Sequence, residues 1–260
     1  MRQLALKIDT PDQHARALHP QGIGKVTIAR RDDQKRWLQN SYHLDHLPNI
    51  ARMMQGLPDV FISQNRFYGD RLIARLAQLD ALFADLDYYR IPALQNHTPE
   101  QVYGLARETL EDASIPLPNL AIATGRGVAL VWLHHPVPRQ ALPRWIACQK
   151  QLYQVLKPLG ADCQALDAAR VLRLVGTLND TAKRLVRSLD AMRTATRDFD
   201  TLAEAILPLS RAEVHSLSIG RSLKKQLRLN RLPKQFNAAT LWEGRLAELQ
   251  ALRKHRHERG

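Results

Sequence analysis

Leu82-Phe83-Ala84-Asp85-Leu86-Asp87-Tyr88-Tyr89 is an apolar stretch broken by two carboxylates at a spacing of two. Its alternation reads as a β-strand, and residues two apart on a strand project from one face, roughly 7 Å apart. Aspartate is a poor strand former and like charges on one face repel, so the pair costs stability. Hard divalent cations would offset that cost. They take carboxylate oxygens, often only one or two from the protein, and complete their shells with substrate phosphates. The alternative is the solvent-facing stripe of an amphipathic strand.

On the N-terminal side, Asp59-Val60-Phe61-Ile62-Ser63-Gln64-Asn65-Arg66-Phe67-Tyr68 is a β-branched and aromatic run with polar residues suited to a strand end. Leu72, Ile73, Leu76 and Leu79 then recur at helical spacing behind Asp70, which predicts a helix over 70–80 leading into the acidic strand. Earlier still, Lys25 to Ala29 predicts a strand and Leu47 to Met54 a short helix. On the C-terminal side, Thr98-Pro99-Glu100-Gln101 is a helix start with a capping box and Pro at the first position. Leu120 to Ala123 and Val128 to Leu133 flank Thr124-Gly125-Arg126-Gly127 as a β-hairpin. Pro138 to Leu156 reads as a long amphipathic helix, and Val171 to Val175 as a return to the sheet. Strands and helices interleave with an antiparallel pair among them, which makes the class α/β in composition and α+β in arrangement.

Past about residue 198 the pattern is helical alone, with capping boxes at Thr201-x-x-Glu204, Ser210-x-x-Glu213 and Thr240-x-x-Glu243. The reading is therefore a core over 1–198 and a small, basic, all-helical domain over 199–260. From Arg211 to Gly260 there are twelve Lys and Arg against four Asp and Glu, so this tail holds most of the formal charge of +13 carried by the 260 residues. Such an excess favours a polyanionic partner, nucleic acid first. No apolar run approaches the length of a bilayer span, and Met1 to Lys7 lacks the apolar core of a secretory signal. A cytoplasmic protein without a membrane partner is expected. Cys148 and Cys163 form no metal or disulfide pattern and read as small core residues.

The sequence has no Gly-x-x-x-x-Gly-Lys-Ser/Thr loop, Gly-x-Gly-x-x-Gly turn, His-Glu-x-x-His or Gly-x-Ser-x-Gly. These absences count against an ATPase motor, a dinucleotide enzyme, a zincin and an α/β-hydrolase. Three constellations remain. Besides the acidic pair, Thr124-Gly125-Arg126-Gly127 offers backbone N–H groups that can approach a phosphate beside a guanidinium, although a hairpin turn needs glycine anyway. Asp167 precedes Arg170 and Arg173 beside the expected strand; it is either a structural ion-pair partner or a third carboxylate for a two-metal phosphoryl-transfer site.

In this order, Val60 to Phe67, Phe83 to Tyr89, Thr124 to Trp132 and Leu166 to Asn179 resemble the catalytic core of the archaeo-eukaryotic primase superfamily. The likeness is greatest to the primase-polymerases of plasmids and other mobile elements and covers about residues 58–180. The resemblance implies an antiparallel sheet of RRM-like type. It also implies that Asp85, Asp87 and Asp167 are catalytic and bind two Mg²⁺ or Mn²⁺ ions. Thr124, Gly125, Arg126, Gly127 and Arg173 become candidates for the nucleotide. Ser63, Asn65, Arg170, Lys183 and Arg184 become candidates for nucleic acid, with strand-end capping the default for Ser63 and Asn65. Where many relatives carry a histidine on the strand after the glycine-rich turn, this chain has Ala129. His134 and His135 do not match that spacing and read as edge or loop residues. Tyr88 and Tyr89 could stack on a base or pack in the core.

The implied function is a metal-dependent DNA primase or primase-polymerase. It would make short primers on single-stranded DNA from NTP or dNTP substrates, in plasmid or mobile-element replication alongside a replicative helicase or initiator. The rival is a non-catalytic single-stranded nucleic-acid-binding module of RRM-like fold. A two-metal nuclease is a third reading.

Overall fold

The computed structural model describes residues 8–32, 34–191, 196–209 and 213. Helix α1 (Pro11–Leu18) leads into the hairpin of β1 (Lys25–Arg31) and β2 (Trp37–His43). Helix α2 (Leu47–Arg52) returns the chain as β3 (Val60–Ser63) and β4 (Arg66–Phe67), and β5 (Leu76–Leu86) carries the acidic stretch. Thr98 starts α3 (Pro99–Asp112) by accepting the Gln101 N–H while the Gln101 side chain accepts its own. The hairpin of β6 (Leu120–Ala123) and β7 (Val128–Pro138) precedes α4 (Leu142–Leu156). Short strands β8 (Val171–Arg173), β9 (Leu178–Asn179), β10 (Arg184–Leu185) and β11 (Arg187–Ser188) lead to α5 (Phe199–Ile206).

Nine strands form one sheet in the order β11-β6-β7-β5-β4-β1-β3-β8, with β2 also paired to β1, and β9 and β10 form a small second sheet. Every ladder between these strands is antiparallel. The class is mixed α+β around a large antiparallel sheet, as the sequence leads one to expect. α4 packs on β5, α3 and α5 pack on β7, and both touch α4. No helix among the described residues is long and apolar enough to cross a membrane.

Several boundaries differ from the sequence reading. Over 70–80 the only helical piece is one 3-10 turn, Ile73–Arg75, and β5 starts at Leu76. Leu76, Leu79, Ala81 and Leu82 are all buried. A strand buried on both faces presents a continuous apolar run, which periodicity does not separate from a helix. β7 likewise runs on to Pro138 before α4 begins. The cap of α5 is Asp198, whose carboxylate accepts the Thr201 N–H, so the expected box at Thr201 lies inside the helix. Phe199, Leu202, Ala203 and Ile206 of α5 are buried, and the first compact unit runs to Pro208. The start of the expected helical domain, 199–206, is α5 and packs on α4 and β7, while the boxes at Ser210 and Thr240 and nearly all of the basic tail lie outside the described residues. Cys148 is buried as expected, whereas Cys163 is exposed.

A polar cluster sits inside this apolar frame. Arg66 and Asp80 are buried and bonded through the guanidinium, and His19 Nδ1 meets the same carboxylate at 3.1 Å while its Nε2 reaches the Ser63 carbonyl at 2.8 Å. Burial would raise the Asp80 pKa, but His19 and Arg66 outweigh it and hold the carboxyl below its ordinary value. Removing one member leaves a charge with no counter-ion in a dry interior. Arg66→Met should cost about 3–5 kcal/mol, and the double variant Arg66→Met/Asp80→Leu should cost less than the single one. Urea denaturation of the three proteins checks that order.

Candidate active site

Asp85 lies near the end of β5 and Asp87 one residue beyond it, where a 3-10 turn, Tyr88–Arg90, begins. Both are half-buried and line a cleft of about 320 Å³. One edge of β5 is paired along its length with β7, with Asp85 opposite Ala129. The other edge has β4 only as far as Gln78. Beyond it the backbone groups find other partners: Asp80 N–H donates to Asn65 Oδ1, Trp145 Nε1 donates to Ala81 O, and Phe83 N–H donates to Gln149 Oε1. At the acidic end the segment after α4 takes over, with Asp162 N–H donating to Asp85 O and Asp87 N–H to Gly160 O, each at 2.8 Å.

That segment brings a third acid to the pair, and it is Asp162. Its charge and that of Asp87 add to burial, the largest effect, in pushing the Asp85 carboxyl up to about 7, against Arg170 and Arg173. Burial also raises Asp87, countered by Arg90 at 3.1 Å and by Arg126. Gly160, in the left-handed region at φ +86°, lets the chain turn back there; a Cβ would lie 3.0 Å from Asp87 and Tyr88 backbone atoms.

Asp167 is placed differently. It is exposed, accepts the Ala169 N–H, and lies 3.8 Å from Arg170 Nε, and it does not line the cleft. Its position braces the turn that carries Arg170 into the cleft wall. Arg173 also lines the wall, bonded to the buried Asp59 at 2.7 Å with its guanidinium over the Phe61 ring.

The opposite wall is the hairpin turn. Thr124, Arg126 and Gly127 line the cleft, while Gly125, which does not, packs against the cleft residue Asn179. Gly127 is required by contact, because a Cβ there would meet Leu86 O at 2.7 Å. Exposed Arg126 lies over the Tyr89 ring at 4.6 Å. Tyr89 thus belongs to the cleft, whereas Tyr88 is buried.

The remaining candidates fall elsewhere. Ser63 and Asn65 are fully buried; Ser63 Oγ accepts the Thr27 N–H and Asn65 Nδ2 donates to Ala168 O, so both build the scaffold. Lys183 and Arg184 are exposed on the β9–β10 hairpin, outside the cleft, with Lys183 paired to Asp180 at 2.6 Å. His134 is buried in β7 with its ring against Phe199, not at an edge or in a loop. Sequence reasoning missed Arg31 and Trp37 in the cleft, since no motif marks them, and it missed Asp162.

Among the described residues no three carboxylate, imidazole or thiolate groups stand together closely enough to enclose a metal ion. Two carboxylates that repel each other in a cleft rimmed by arginines fit an ion completed by phosphate oxygens of a substrate. Asp85 and Asp87 are the residues that would hold it.

No protein-family model matches the chain. Over 174 residues it is 42% identical to a replication protein of Clostridium perfringens, a match covering 66% of this chain and 41% of that protein, less than half its length. The AEP domain of the cyanophage S-2L primase-polymerase superposes with a TM-score of 0.50 at 16% identity, covering 74% of this chain and 94% of that one. The primase RepB' superposes at 0.49 and 16% identity, covering 86% and 69%. The fold implied by the sequence blocks, that of the archaeo-eukaryotic primase-polymerase core, is the fold of this chain.

Asp85 also predicts a pH dependence. Its folded pKa of about 7 lies above the ordinary carboxyl value of 3.8, so between those values the folded state holds a proton the unfolded state has lost. Stability therefore falls as pH rises through this window, and the penalty is complete above it. In EDTA, Asp85→Asn should melt close to the wild type at pH 4 and above it from pH 7 upward. Added Mn²⁺ should raise the wild-type melting temperature more than that of the variant. Thermal melts across pH 4–8, with and without Mn²⁺, check both.

Proposed function

We propose that this chain is the catalytic core of a replication primase or primase-polymerase, which joins nucleotides into short primers on single-stranded DNA. The observation that carries the reading is the pair Asp85 and Asp87, neighbouring carboxyls of which Asp87 alone has an ion-pair partner, Arg90, at the floor of a cleft walled by Arg126, Arg170 and Arg173. The primase-polymerase fold and the similarity to a replication protein support it.

In this reading Asp85 and Asp87 hold Mg²⁺ or Mn²⁺, two ions in all, and Asp162 stands where Asp167 is expected from the sequence. Bound ions of this kind lower the pKa of an attacking hydroxyl and neutralise phosphate charge. The chain's own residues orient the reactants. The turn Thr124 to Gly127 lies beside the acids, so Arg126 and the turn backbone receive the triphosphate of an NTP or dNTP from one side. Arg170 and Arg173 receive phosphate from the other, where the template backbone also presents mainly charge. Each guanidinium is held by a neighbour, Tyr89, Asp167 or Asp59, so little side-chain entropy remains to be lost on binding. Such an enzyme would serve plasmid or mobile-element replication with an initiator or helicase.

Ala129 favours the alternative of a binding module without catalysis, because it offers phosphate no imidazole beside Asp85. The full-length protein with a single-stranded oligonucleotide, labelled nucleotides and Mn²⁺ separates the readings. New short oligonucleotides support the primase, retention alone the binding module, and degradation a nuclease. Asp85→Ala and Asp87→Ala should each lower primer synthesis at least about a hundred-fold, the loss of several kcal/mol of charge stabilisation, and Asp162→Ala, which removes a charge beside the pair, should lower it by less. Asp167→Ala should cost less than about ten-fold, as expected for a residue that acts through Arg170. Product yield on denaturing gels, with circular dichroism to verify folding, is the measurement.

A further inference from the structure

The cleft has a second feature that neither phosphate nor metal uses. Trp37 and Phe61 lie in it, with ring centroids 5.0 Å apart. The sheet register explains why they meet. Trp37 pairs with Arg31 across β2 and β1, Phe61 pairs with Ala29 across β3 and β1, and Arg173 pairs with Phe61 across β8 and β3. Paired residues and residues two apart share a face, so Trp37, Arg31, Phe61 and Arg173 form one row across four strands. Arg31 lies 4.9 Å from the Trp37 ring and Arg173 4.7 Å from that of Phe61.

This row is costly as mere sheet cover. Trp37 is 44% exposed on a strand that is otherwise largely exposed and polar. An indole in water with its face toward a charged cleft gains little from burial. Aromatic faces flanked by guanidinium planes are suited to unpaired nucleobases, which stack on the rings while the cations meet their phosphates.

We infer that the Trp37–Phe61 row is a stacking platform for an unpaired nucleobase presented to the Asp85/Asp87 end of the cleft. The base comes either from the incoming nucleotide or from the template. The assignment deepens the primase reading and rests on it for the identity of the base.

The test uses the full-length protein in Mg²⁺, with tryptophan fluorescence of the wild type compared with Trp37→Phe. One arm titrates dGTP without template, the other a mixed-sequence 20-nucleotide single strand without nucleotide, so no synthesis occurs in either. Quenching assigned to Trp37 with dGTP identifies the incoming nucleotide, and quenching with the oligonucleotide identifies the template. Quenching with neither overturns the platform. In primer synthesis, Trp37→Ala should raise the KM of the partner so identified roughly ten-fold with kcat within about two-fold, and Trp37→Phe should recover most of the loss. An unchanged KM also overturns it. The two readings fail separately. Primers made by a wild type that shows no Trp37 quenching leave the primase and remove the platform. Quenching in a protein that makes no primers leaves the platform and removes the primase.

Discussion

The outer edge of β5 is the constraint on which the site depends. The amides and carbonyls of a strand this deeply buried need partners along both edges. Here β7 covers one edge throughout, and β4 covers the other only to Gln78. The amides and carbonyls beyond it are satisfied one at a time by Asn65, Trp145, Gln149 and the segment 160–162. Each bond removes a buried orphan group that would otherwise cost about 1–3 kcal/mol. The result is an edge that is sealed yet ends in a pocket. The same bonds explain why Asn65 is unavailable to a ligand, and why α4, through Trp145 and Gln149, reaches the spine of the sheet.

Charge inside the cleft is arranged in the same economical way. Burial, with the charge of Asp162 added, raises the Asp85 and Asp87 carboxyls, while the arginines of the cleft are held by neighbours, Arg126 by the Tyr89 ring, Arg170 by Gln164 O and Asp167, and Arg173 by Asp59 and the Phe61 ring. Asp87 alone of the pair has an ion partner, Arg90. The buried Arg66–Asp80–His19 cluster shows the contrasting solution, in which the charges are matched and solvent is excluded. One acid lies at the scaffold's bulge and another at its rim, only five residues apart on one strand.

Legibility followed locality. The Thr98 cap, the β6–β7 hairpin and the acidic strand end were readable because each is set by neighbours in sequence. The span 70–80 was not, because burial on both faces removes the period that distinguishes strand from helix. That Asp162, not Asp167, stands beside the acidic pair depends on a contact between segments more than seventy residues apart, the bond from Asp162 N–H to Asp85 O. Gly160, just ahead of Asp162, was the available signal, as a left-handed stop that reverses the chain after α4. Trp37 and Arg31 had no such signal, because their place in the cleft arises only from the register of β2 on β1 and β1 on β3.

Ala129 ties these points together. It is the register partner of Asp85, buried, and opposite the very residue that a histidine at this position would assist. Its small side chain leaves the turn before it as the polar part of this hairpin that lines the cleft, through Thr124 and Arg126. That turn is held against β5 by Gly127, whose backbone approaches Leu86 O too closely for any side chain. Leu86 lies between the two acids, so the end of the β5–β7 ladder, with Asp85 opposite Ala129 and Leu86 opposite Val128, sets the turn beside them. An imidazole on a flexible side chain would adjust its reach, whereas a turn clamped in this way cannot. The place of the turn beside the acids is therefore a property of the main chain of β5 and the β6–β7 hairpin.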